Sequence, residues 1–202
     1  MELSTYHWGK LYGRSTFDFT CGHCGKHTSG PVIAETVDLD THVHFVRYLC
    51  CTSCKKGSIW LNSELGPDET AIVIPGNKIG ISLQGLPKNI NDIFEEARSC
   101  FSVNSYLAVE MLCRKILYCV AVDKGSDKKI SFSESLDYLG SQGYITPPMK
   151  SWVELIRKNG NSSNHDLDNP SQNRAKSTFD FTMQLLRIVY EMDFIAKNNK
   201  VI

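Results

Sequence analysis

The chain has 202 residues, room for one ordinary domain and a small accessory one, with a real core. Hydrophobic residues make up 42% and charged residues 22%, which excludes a disordered or fibrous chain. The 22 basic and 22 acidic side chains cancel, which excludes a global field drawing the chain to nucleic acid or a membrane; any nucleic-acid contact must be local.

Met1–Lys10 has no apolar signal-peptide run, and no stretch approaches the roughly 18 uninterrupted apolar residues of a membrane span. Together with cysteines that have no disulfide-framework spacing, this leads us to expect a cytoplasmic protein with no membrane partner. Thr16–Thr20 alternates as a strand and runs into Cys21-Gly-His-Cys24. Val32–Leu39 and His42–Leu49 form the next strands, joined by a turn at Asp40-Thr41, and lead to Cys51-Thr-Ser-Cys54. Gly57–Asn62 and Ala71–Pro75 complete a small antiparallel sheet.

Two Cys-x-x-Cys pairs at strand ends supply the four thiolates of a tetrahedral site, because each knuckle bends the backbone so that two sulfurs converge. We expect Cys21, Cys24, Cys51 and Cys54 to hold one structural Zn²⁺; a redox dithiol is the competing reading. Such a site is closed. It folds a domain too small to fold by its core alone and leaves no open position for chemistry. His23 and His27 read as exposed, Cys50 as a second-choice ligand on the opposite strand face, and His42 and His44 as a solvated face. Trp60 and Phe45 read either as cover for the sheet or as a stacking platform for single-stranded nucleic acid.

Residues 76–87, rich in Gly and Pro, read as a linker, dividing a β domain at 1–75 from a helical one at 88–202. Ile90, Ile93, Phe94, Ala97 and Phe101 recur at helical spacing. A second helix follows from Ser105 to about Val122, expected to bury Leu107, Met111, Leu112, Ile116 and Leu117. Within it, Arg114 needs a counter-charge, which Glu110 could provide; otherwise it reaches the Arg157/His165 region. Ser131-Phe-Ser-Glu134 has capping-box spacing before a helix that stops at Gly140. Pro147-Pro148 opens the next, whose pattern dissolves at Asn159-Gly-Asn161. Ser171 starts a long helix to about Ala196, making five segments of an antiparallel bundle. The fold class is therefore α+β, a small antiparallel zinc ribbon followed by a helical bundle.

One polar cluster interrupts the bundle pattern. Arg157, Asn161 and His165 recur at a spacing that would put them on one face if the helix continued, although Gly160 and the Ser/Asn run disfavour that. An imidazole can serve as general acid or base near neutral pH, and an Arg can hold and stabilise a phosphate. The structural alternative is that Asn161 and His165 tie down an irregular loop by hydrogen bonds to carbonyls.

Leu86-Pro-Lys-Asn-Ile-Asn-Asp-Ile-Phe-Glu-Glu-Ala-Arg98-Ser-Cys100, Met111-Leu-Cys-Arg114-Lys-Ile-Leu117 and Leu155-Ile-Arg157-Lys-Asn-Gly160-Asn161-Ser-Ser-Asn-His165 resemble, in order, segments of the prokaryotic DUF4145 family. That family is similar to the HEPN superfamily of helical bundles, many of which are metal-independent endoribonucleases of toxin and phage-defence systems. The resemblance implies a HEPN-like bundle, a homodimer, RNA or tRNA as target, and other defence-system proteins as partners. It would make His165 the acid/base, Arg157 the phosphate stabiliser and Asn161 an orienting group. Arg157 and His165 stand further apart than the Arg and His of the HEPN motif. The alternative function is a non-catalytic nucleic-acid-binding or protein-interaction scaffold, with the ribbon recognising a partner and the bundle dimerising.

Overall fold

The computed structural model describes residues 6–9, 16–38, 45–62, 72–162 and 170–198. The fold is α+β, an antiparallel sheet followed by helices, and the chain divides into two compact units, Met1–Ile79 and Gly80–Ile202.

In the N-terminal unit, β1 (Tyr6–Gly9), β2 (Thr16–Thr20), β3 (His27–Asp38), β4 (Phe45–Cys50), β5 (Gly57–Asn62) and β6 (Ile72–Ile74) form one antiparallel sheet. The 12-residue β3 is its spine. Its first half pairs with β2, from Thr20↔His27 to Thr16↔Pro31, and its second half with β1, Tyr6↔Asp38 to Gly9↔Glu35. Along the other edge β3 pairs with β4, and β5 and β6 follow in order. The expected β3–β4 hairpin is present; its turn at Asp40-Thr41 lies outside the described residues, as do His42 and His44. Strand β1 has no alternating apolar pattern to announce it and was not expected.

Alternation sorts side chains between the two faces of the sheet. Phe19, Val32, Leu49 and Trp60 bury together with Cys21 and Cys51, and Phe17, Cys54 and Val73 pack against them. Trp60 is core rather than platform. Its ring meets Phe17 edge-on at 4.9 Å, and the Arg47 guanidinium lies 4.7 Å from its centroid while bonding Glu35 at 2.9 Å. The Phe45 side chain lies outside the described residues. This core is small, and two of the four candidate metal ligands belong to it.

In the C-terminal unit, α1 (Lys88–Ser102), α2 (Tyr106–Asp123), α3 (Phe132–Ser141), α4 (Lys150–Ser162), α5 (Gln172–Leu186) and α6 (Met192–Asn198) pack around Ile90, Phe94, Ile116, Leu117, Phe179 and Leu185. Phe94 stacks on Phe179 at 5.3 Å. The last long helix is one run, α5 passing through a π-helical turn at Arg187–Glu191 into α6. Ser131 and Glu134 form the expected capping box at the start of α3: Glu134 N–H donates to Ser131 Oγ at 3.2 Å, and Ser131 N–H to Glu134 Oε2 at 2.6 Å.

The face of α2 differs from expectation. Leu107 and Met111 are exposed, at 43% and 63%, and the helix buries Val109, Glu110, Cys113, Ile116, Leu117, Val120 and Ala121 instead. The rotation is made tolerable by Arg174 of α5, whose Nε and Nη2 each donate to Glu110 at 2.8 Å. A buried carboxylate with a two-pronged partner satisfies its lone pairs. From α1, Arg98 reaches back to Ser82 Oγ at 2.8 Å and the Gly80 carbonyl at 3.2 Å, tying residues 80–82 to the helix.

Candidate functional site

The two Cys-x-x-Cys knuckles repeat one backbone design. In the first, Cys21 N–H donates to Lys26 O at 3.0 Å and Gly25 N–H to Cys21 O at 2.7 Å; in the second, Cys51 N–H donates to Lys56 O at 3.0 Å and Lys55 N–H to Cys51 O at 2.9 Å. Each turn needs a left-handed residue just after its second cysteine: Gly25 at φ 72° and Lys55 at φ 63°. Glycine meets this demand without strain, whereas Lys55 meets it at a cost. Gly22 is constrained by space instead, since a Cβ there would sit 1.9 Å from the Pro75 carbonyl oxygen.

The knuckles converge. The four sulfurs of Cys21, Cys24, Cys51 and Cys54 lie within 4.8 Å of one another, with 3.7 Å between Cys21 and Cys54 and 3.8 Å between Cys24 and Cys51. A tetrahedron whose centre lies about 2.3 Å from each sulfur has an edge of about 3.8 Å, so these separations suit four ligands on one ion. They are far too long for disulfides, whose sulfurs are bonded at about 2.0 Å. Cys54 N–H points at Cys51 Sγ at 3.5 Å, a contact that favours thiolate. That backbone donor draws Cys51 down to about 6, while burial pushes Cys21 up to about 12. A cation offsets the burial that opposes ionisation. The group is a candidate metal-binding site.

His23 is neither ligand nor solvated side chain. It is half-buried, and its Nε2–H donates to the Gly57 carbonyl at 2.9 Å, tying the first knuckle to the strand that leaves the second. A hydroxyl pair, Thr28 and Thr52, makes a second tie. His27 is exposed, 3.3 Å from Thr20 Oγ1. Cys50 stays out of the cluster, and its thiol donates weakly to the Lys55 carbonyl at 3.8 Å. Local spacing could not reveal the His23 tie, because Gly57 lies 34 residues further on.

In the C-terminal unit, α4 continues through Asn159, Gly160 and Asn161 to Ser162, further than the composition led us to expect. A single helical glycine costs only about 1 kcal/mol, which packing overrides. Arg157 and Asn161 therefore stand one turn apart on the same helix. The Asn161 side chain and all of His165 lie outside the described residues. Arg157 pairs with Asp137 of α3, and its Nη1 lies 3.9 Å from Glu154. It lines a cavity of about 250 Å³ with Leu136, Asp137, Val153 and Glu154. Arg157 also lines a second one of about 240 Å³ with Arg114, Ser131, Phe132 and Ser133. Arg114 and Arg157 thus line one cavity, and Glu110 is engaged by Arg174. The Arg114 guanidinium lies 4.7 Å over the Phe132 ring. The sequence leaves Arg114 open between Glu110 and the Arg157/His165 region, and the crossing of α2, α3 and α4 brings it beside Arg157.

Residues 95–200 match the family described as a domain of unknown function (DUF4145), and the chain belongs to that family. Neither a curated protein nor a solved structure matches it. Among the described residues, no helix is long and apolar enough to cross a membrane.

Proposed function

We propose that this protein is an RNA-directed component of a prokaryotic stress or phage-defence system, built from a Zn²⁺ ribbon and a HEPN-like bundle, and working in the cytoplasm as a homodimer. In this reading it is a metal-independent endoribonuclease, with RNA or tRNA as substrate and other defence-system proteins as partners. His165 acts as acid/base, Arg157 stabilises the phosphate, and Asn161 orients one of them. The zinc, held by four thiolates, leaves no position for substrate and serves folding alone. The observation that carries the reading is α4, on which Arg157 and Asn161 stand one turn apart.

The experiment is RNA cleavage without added metal. A His base that activates the 2′-hydroxyl leaves a 2′,3′-cyclic phosphate, and His165→Ala is expected to lower the rate by about 10²–10⁴ with little change in melting temperature. Arg157→Ala is expected to cost a similar factor. Wild-type protein inert toward tRNA and single-stranded RNA, with a His165→Ala variant that melts earlier, would leave the residue a structural role only.

The second reading is a non-catalytic scaffold. It is favoured by an outward-facing row on the sheet, Tyr48, Ile59 and Ile74, which are 41%, 38% and 45% exposed and directly paired across β4, β5 and β6. A contiguous apolar row of this kind suits partner recognition by the ribbon. The exposed Leu107 and Met111 on α2 are the corresponding surface for dimerisation by the helices.

A further inference from the structure

We infer that the cavity along the open edge of β2 is a docking site for an extended segment of a partner protein, which adds there as an antiparallel strand of apolar–basic–apolar sequence. The site belongs to the N-terminal unit, needs no catalytic residue and uses none of Tyr48, Ile59 and Ile74. It shares with the scaffold reading only that the ribbon recognises a partner.

The cavity, of about 360 Å³, is lined by the consecutive β2 residues Phe17–Thr20 together with Trp60, Val73 and Asn77. Successive side chains of a strand point to opposite faces, so a consecutive run lines one cavity only along the strand's edge. Among the described residues no strand occupies that edge. β2 pairs with β3 alone, and β6, which carries Val73, pairs with β5 alone.

The register tells which main-chain groups face the cavity. Thr16 lies opposite Pro31, which has no N–H, so the hydrogen-bonded pairs of the β2–β3 ladder are Phe17↔Gly30 and Phe19↔Thr28. The knuckle continues this alternation, with Cys21 N–H donating to Lys26 O at 3.0 Å. Asp18 and Thr20 therefore turn their N–H and C=O away from β3, toward the open edge. An added strand satisfies such groups with its own main chain.

Side chains set the sequence of that strand. A residue opposite Asp18 shares its face, and the neighbours on either side share the face of Phe17 and Phe19. On that face Phe17, Phe19, Trp60 and Val73 pack together, so apolar side chains belong there. Asp18 is exposed, and its carboxylate has no hydrogen bond or ion pair among the described residues. It favours Lys or Arg opposite it and disfavours an acid. The same carboxylate repels the phosphates of a nucleic acid, which favours a peptide as the occupant.

The test is calorimetric titration of the full chain with capped peptides. Thr-Val-Lys-Val-Thr is expected to bind, and Thr-Val-Glu-Val-Thr to bind about fivefold more weakly or worse. A methyl group on the main-chain nitrogen of the peptide's lysine is expected to weaken binding about tenfold or more, because that N–H donates to the Asp18 carbonyl. Asp18→Pro removes the outward N–H and spares the ladder to β3, so it is expected to abolish binding with little change in melting temperature. Asp18→Lys keeps the main chain and is expected to reverse the preference, taking the glutamate peptide over the lysine one. Should Asp18→Pro unfold, this exchange of preference decides. No binding of the lysine peptide, equal binding of its N-methylated form, or an Asp18→Lys protein that still prefers lysine overturns the inference. So does displacement of the lysine peptide by single-stranded RNA, which would give the cavity to a nucleic acid.

Discussion

Replacing Cys51 by Ser is expected to unfold the N-terminal unit and leave the helical unit folded. Cys51 and Cys21 are fully buried and are themselves part of the small core that Phe19, Val32, Leu49 and Trp60 complete. A structural metal site contributes about 10–16 kcal/mol in small zinc peptides, against a net stability of about 5–15 kcal/mol for an ordinary domain. Losing one ligand of four therefore threatens the whole unit rather than one turn. Circular dichroism should retain its helical signal, and limited proteolysis should cut within residues 1–79 while sparing 80–202. Cys50→Ser is the control. Its sulfur lies outside the cluster, and its only described contact is a long one to Lys55, so it is expected to change stability by less than about 0.5 kcal/mol. A Cys51→Ser protein that resists proteolysis as wild type does would mean that the sheet stands without its metal.

The second large effect is expected from Glu110→Ala. Glu110 is only 4% exposed, and both its oxygens accept from Arg174 at 2.8 Å across the α2–α5 contact. Removing the carboxylate leaves the guanidinium, itself mostly buried, without this partner. Breaking such a pair costs about 3–5 kcal/mol, far more than an exposed ion pair at about 0–1 kcal/mol. Replacing both residues by Met should recover most of that loss, because a packed apolar pair avoids the desolvation that the ions incur. Urea unfolding of the two variants measures the difference. A single variant that loses less than about 1 kcal/mol would place the pair in effectively aqueous surroundings.

What the sequence disclosed follows from how far apart the interacting residues are. The knuckles, the capping box at Ser131 and the helical stripe of α1 are written within a few residues, and each was legible. The convergence of Cys21 and Cys24 on Cys51 and Cys54 could be anticipated because metal ligands come in sets with known spacing. The outward turn of Leu107 and Met111 could not. It depends on Arg174, 64 residues beyond Glu110, which makes the burial of a charge tolerable. Arg114 beside Arg157 is one of two readings the sequence leaves open, and the pocket that joins them exists only once three helices cross. The continuation of α4 through Gly160 is another case, since propensity is worth about 1 kcal/mol per residue and tertiary packing exceeds it. Strand β1 shows the limit for short edge segments, whose place is fixed by pairing with β3 rather than by their own pattern.

The central claim is that four cysteines form one metal centre that folds the N-terminal unit. The most direct measurement is elemental analysis of freshly purified protein, paired with a count of reactive thiols before and after a chelator. The account predicts one zinc per chain, with the thiols of Cys21, Cys24, Cys51 and Cys54 protected until the metal is removed and the sheet then lost. Protein that carries no metal, with those four thiols free and the sheet intact, would contradict it.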